Sequence, residues 1–167
     1  VTKIFDISTD NSGIVKITPT GEGATSFTVN YGHGTGAAAS AVVAAGGSTS
    51  HIYPEGSYTV TIISSDIAGQ KTSATYPLVV TYVAPTNLIV NAAVNVYTVK
   101  VSATATNAKS FLVYFGDVAN EVGTPLAIGA TTPAHTYAVG GSYNVKVVAL
   151  SGGAAKTETI TPVIIFD

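Results

Sequence analysis

Cysteine, methionine, tryptophan and arginine are all absent from the 167 residues. Without cysteine there are no disulfides, thiolate metal sites or cysteine nucleophiles. Without arginine there is no planar fork for a bidentate grip on a phosphate or a base edge. Missing methionine and tryptophan remove the usual material of an adaptable apolar groove and of a strong sugar-stacking platform. Charge is scarce too, at 10% of residues, against roughly 25% in an ordinary globular domain. Seven lysines oppose nine Asp and Glu, a formal charge of −2, so the chain lacks the basic footprint of a nucleic-acid binder. No run approaches the roughly eighteen apolar residues of a membrane-spanning helix. Hydrophobic residues still make up 46%, which excludes disorder driven by low hydrophobicity and high charge. The chain starts at Val1 with no visible signal peptide. The expectation is an excised piece of a longer protein, or a processed one that has lost a signal sequence or lipobox.

What is present is a repeat. His51-Ile-Tyr53-Pro-Glu-Gly56-Ser-Tyr58-Thr-Val60-Thr-Ile62 returns as His135-Thr-Tyr137-Ala-Val-Gly-Gly141-Ser-Tyr143-Asn-Val145-Lys-Val147. The histidines lie 84 residues apart (51 to 135) and the second tyrosines 85 (58 to 143), a slip of one residue in the glycine turn. Upstream, Phe27-Thr-Val-Asn-Tyr31-Gly32-His33 lies over Phe111-Leu-Val-Tyr-Phe115-Gly116-Asp117, again 84 apart. Lys71-Thr72 and Pro77 lie over Lys156-Thr157 and Pro162, at 85. The repeat predicts two domains, 1–84 and 85–167, with a break between residues 83 and 88 around Pro85. Pro85 cannot donate to a central ladder and biases Ala84 towards an extended conformation.

Hydropathy alternates with period two in Thr59-Val60-Thr61-Ile62, Tyr143-Asn-Val145-Lys-Val147, Val99-Lys100-Val101 and Val15-Lys16-Ile17. Such alternation marks half-buried antiparallel strands. Turn signals at Asp10-Asn-Ser-Gly13, Thr20-Gly-Glu-Gly23, Gly69, Pro77 and Gly152-Gly153 bound them at the spacing of a β-sandwich. The alanine-rich stretch from Thr35 to Gly47 has helical propensity. Its counterpart from Val118 to Thr132 carries Gly123, Pro125 and Gly129, so both are read as a loop and a short edge strand.

The pattern aromatic-x-x-x-aromatic-Gly-Asp, then His-x-Tyr…Gly-x-Tyr-x-Val-x-Val, resembles the PKD (polycystic kidney disease) domain. Copy two supplies Phe111, Phe115, Gly116, Asp117, His135, Tyr137, Gly141, Tyr143, Val145 and Val147; copy one supplies Phe27, Tyr31, Gly32, His33, His51, Tyr53, Gly56, Tyr58, Val60 and Ile62. The Trp-Asp usual in the family is replaced by Val29-Asn30 and Val113-Tyr114, and His33 stands where aspartate is usual, as in a divergent bacterial branch. The resemblance covers nearly the whole chain, twice. It implies two tandem immunoglobulin-like β-sandwiches without catalytic residues. It further implies an extracellular or cell-surface spacer, adhesion or interaction module of a larger bacterial protein, lipid-anchored if a lipobox preceded it. Its partners would be other domains of that parent, a polysaccharide or a surface protein.

The shared residues also have physical readings of their own. Gly56 and Gly141 are expected to end a turn at positive φ. Tyr58 and Tyr143 are expected to share the inward face with the valines and to fill much of each small core. His51 and His135, two residues before Tyr53 and Tyr137, point the same way and are read as core-edge histidines bonded to loop backbone. Asp117 is expected to accept backbone N–H groups within its turn. Calcium is the competing reading there, with Asn120 and Glu121 as the oxygen donors close in sequence. The expectation is no metal, no cofactor and no catalysis. There is no Gly-x-Ser-x-Gly elbow, His-Glu-x-x-His or phosphate loop, and Gly32-His33-Gly34-Thr35-Gly36 reads as a wide loop. The alternative function is a carbohydrate-binding accessory module. If Phe111, Val113 and Phe115 face the core, Tyr114 faces outward; Tyr114 and Tyr97 are the candidate glycan contacts.

Overall fold

The structure, a computed structural model, describes residues 3–167. Strands form almost wherever the period-two pattern occurs. The chain clusters into two compact units, Val1–Thr81 and Tyr82–Asp167. In the first, β1 (Phe5–Ile7), β2 (Ile14–Ile17) and β5 (Thr49–Ile52) make one sheet, in the order β1-β2-β5. The other is β4-β3-β6-β7, from β3 (Ala24–Asn30), β4 (Ser40–Ala44), β6 (Gly56–Asp66) and β7 (Lys71–Val80). The second unit repeats this seven strands later. Here β8 (Thr86–Asn95), β9 (Thr98–Thr106) and β12 (His135–Thr136) form the sheet β12-β9-β8. The sheet β11-β10-β13-β14 is built from β10 (Ser110–Tyr114), β11 (Thr124–Ala127), β13 (Gly141–Leu150) and β14 (Lys156–Ile165). Neighbouring strands pair antiparallel.

The alternation decides which side chains meet. Val99 and Val101 of β9 join Phe111, Val113, Val145, Val147 and Val163 of the facing sheet in one buried cluster. Lys100, between two of them, points to solvent. The first unit buries the corresponding Val15, Ile17, Phe27, Val29, Val60, Ile62, Leu78 and Val80. Burying a Val, Ile, Leu or Phe side chain contributes about 1.5–3 kcal/mol, so these stripes drive each sheet pair together.

The sequence reading needs adjustment at two places. Pro77 does not bound a strand: it lies inside β7, opposite Thr59, as Pro162 lies inside β14, opposite Asn144. Both strands end their sheets, and an edge position tolerates the missing donor. Gly141 has no positive φ, and Gly56 has φ 157°, so a left-handed turn there is not common to both copies. Tyr82–Ala84 fall with the second unit. There the Tyr82 ring lies beside Gly152, Pro85 is buried, and the Thr157 hydroxyl donates to the Pro85 carbonyl at 2.6 Å. The alanine-rich stretch is a single 3-10 turn, Gly36–Ala39, followed by β4. Its counterpart forms β11, which ends its sheet as β4 does.

Candidate functional site

The polar and aromatic residues shared by the two copies gather where the chain leaves β3, or β10, and turns against the facing sheet. Gly32 and Gly116 make that turn with φ 69° and 82°. A Cβ on either would land far inside contact distance of a backbone carbonyl, Thr59 on β6 or Asn144 on β13. Only glycine combines this left-handed conformation with so close a backbone approach.

Tyr53 and Tyr137 are the largest fully buried side chains. Each hydroxyl donates at 2.9 Å to the carbonyl just before the glycine, Tyr31 or Phe115. These two bonds tie the segment after β5, or β12, to the segment after β3, or β10. Burial, the largest cause, pushes both phenols up to about 12. Tyr58 and Tyr143, expected to fill the core, are only half-buried. They lie at the start of β6 and β13, covering Tyr53 and Tyr137 at ring distances of 4.7 and 4.1 Å. Their hydroxyls donate to the Pro54 and Val139 carbonyls, at 2.8 and 2.9 Å, four residues upstream. That is the geometry of a tyrosine corner.

His51 and His135 stack on Tyr31 and Phe115, with ring centroids 4.2 and 4.1 Å apart. Their hydrogen-bond partners are side chains, not loop backbone. His51 Nε2 meets His33 Nδ1 at 2.9 Å, and His135 Nε2 meets Asp117 Oδ2 at 2.9 Å. Burial first, and then the neighbouring His33, holds His51 below the ordinary histidine range. Asp117 is thus spent on His135. The backbone N–H groups of the turn go instead to Glu121, whose Oε2 accepts from Phe115 at 2.6 Å and Oε1 from Gly116 at 2.8 Å. In the first unit the Tyr31 N–H donates to the Ala39 carbonyl, at the end of the 3-10 turn. Ala37 stands 84 residues before Glu121, so a backbone turn replaces a carboxylate. The sequence contained a signal for this: Glu121 follows the aromatic-Gly pair by five residues, within reach of both amides.

Glu121→Ala should therefore destabilise the second unit by about 1–3 kcal/mol, the cost of stranding donors that had a charged acceptor. Denaturant titration of the full chain, with amide signals of the two units read separately, should show the first unit unmoved.

The candidate glycan contacts are placed apart. Tyr97, in the turn between β8 and β9, is half-buried against the core of the second unit. Its hydroxyl donates to Asp167 Oδ1 at 3.1 Å, and that bond raises its pKa. Tyr114 ends β10 on the other sheet. As expected it alternates outward from buried Phe111, Val113 and Phe115, and the Lys146 Nζ sits 4.5 Å over its ring. Among the described residues no three His, Asp or Glu side chains converge as a metal cage. No helix among them is long and apolar enough to cross a membrane. A scan against protein-family models finds no match, and no curated protein matches the chain.

Proposed function

We propose that the chain is a non-catalytic spacer and interaction module of a larger bacterial surface or secreted protein, made of two immunoglobulin-like sandwiches of PKD type. One observation carries the reading. The residues shared by both copies at the candidate site, Gly32 and Gly116, Tyr53 and Tyr137, Tyr58 and Tyr143, each hold strands and turns together. The polar pair at the same place differs between the copies, His33–His51 in one and Asp117–His135 in the other. Two copies that share framework and vary chemistry fit a mechanical role better than a repeated ligand site. The tyrosine corner also suits this assignment, because it belongs to immunoglobulin-like sandwiches.

Affinity electrophoresis of the intact fragment through soluble polysaccharides tests the reading against a carbohydrate-binding module. Unretarded migration is expected. Retardation abolished by Tyr97→Ala or Tyr114→Ala would replace the spacer with the glycan module.

A further inference from the structure

We propose that the two units answer mild acid differently: the His33–His51 pair is a latch that acid releases, and the Asp117–His135 pair one that acid leaves closed. The pairs occupy equivalent places, each linking the turn after β3 or β10 to β5 or β12 across 18 residues of chain. Their chemistry differs. Two imidazoles 2.9 Å apart share a bond only while one nitrogen donates and the other accepts. Protonating both leaves two donors and two positive charges facing each other. An imidazole against a carboxylate keeps its bond when protonated and gains an ion pair.

The surroundings sharpen the contrast. Around His51 are the Tyr31 ring after β3, Tyr53 beyond β5 and His33. His33 in turn packs against Tyr53 and against Tyr58 of β6. On β2 the residue opposite His51 is buried Val15, and the neighbouring Lys16 is exposed. Besides burial, the influence on His51 among the described residues is the charge of His33. Around His135 are Phe115, Tyr137 and Asp117. Val99 lies opposite it on β9, with Lys100 exposed beside it. Glu121 acts with Asp117 on Tyr137. The second unit thus holds two carboxylates where the first has His33 and Ala37. His51 also borders a surface depression with Ile14, Ser50 and Ile52, so protons reach it from solvent.

The sign follows from linkage. The folded pKa of His51 lies below its unfolded value, so the unfolded chain takes up the proton first. The contribution is complete above about pH 6.5 and is lost as pH falls through the folded value. Asp10 of the first unit, held low chiefly by its bonds to Ser12, titrates beneath this window.

The test is urea unfolding of the full chain followed by amide NMR at about pH 7.5 and about pH 5.0, which spans the histidine range while leaving carboxylates largely ionised. The midpoint of the first unit should fall on acidification and that of the second should not; an equal fall in the second overturns the proposal. H33D, which writes the second unit's pair into the first, should abolish the fall; D117H should create one in the second unit. A first-unit midpoint unchanged with pH, or a fall that survives H33D, overturns the proposal. Should a variant not fold, the ring signals of the three histidines in the unmodified chain still decide it. His51 must titrate below the ordinary range, and its titration at ordinary values refutes the latch.

Discussion

Tyr137→Ala is expected to destabilise the second unit by about 3–5 kcal/mol, the range for deleting a large buried aromatic. Tyr53→Ala should do the same to the first. Each ring is fully buried, and each hydroxyl satisfies a carbonyl at the glycine turn. Truncation therefore leaves a cavity and strands an acceptor that crossed from one segment to another. With total stabilities of small domains at about 5–15 kcal/mol, such a loss can unfold the affected unit. Tyr143→Ala and Tyr58→Ala should cost less than half as much, because these half-buried rings lie over the inner tyrosines and their hydroxyls bond only four residues back. Chemical denaturation of the four variants, read unit by unit, checks the ranking. Equal losses at Tyr137 and Tyr143 would mean that the outer ring carries the core.

Gly116→Ala and Gly32→Ala should each destabilise their unit by about 3 kcal/mol or more, with two causes acting together. A left-handed conformation costs an L-residue about 1–2 kcal/mol. The added methyl also drives into the Asn144 or Thr59 carbonyl, a backbone atom that no rotamer change can move aside. Gly129 and Gly23 separate the two causes. Their φ values are 76° and 73°, and a Cβ on either meets nothing within 4 Å. Gly129→Ala and Gly23→Ala should therefore show the conformational cost alone. If Gly116→Ala costs no more than Gly129→Ala, the close approach to β13 is not a constraint.

The strands, the paired stripes of Val, Ile and Phe, and the two units were legible in the chain itself. Side-chain direction alternates with strict period two whatever the surroundings, and a repeated set of spaced residues at offsets of 84 and 85 cannot fit one core twice. The outward turn of Tyr114 between Val113 and Phe115 followed from the same alternation. Other features depended on contacts between segments far apart in sequence. Tyr53 and Tyr58 are both aromatics beside a glycine turn, and nothing local says which is covered. Packing decides it: the Tyr58 ring lies over Tyr53 and covers it. The bonding of Asp117 to His135, and of Glu121 to the turn amides, was hidden because several nearby acceptors could serve the same donors. Only the packing of the turn after β10 against β12 brings His135 to one carboxylate and leaves the amides to the other. The equivalent fold of the first unit sets His33 against His51, so the exchange of aspartate for histidine changes the chemistry of the pair through tertiary contact alone.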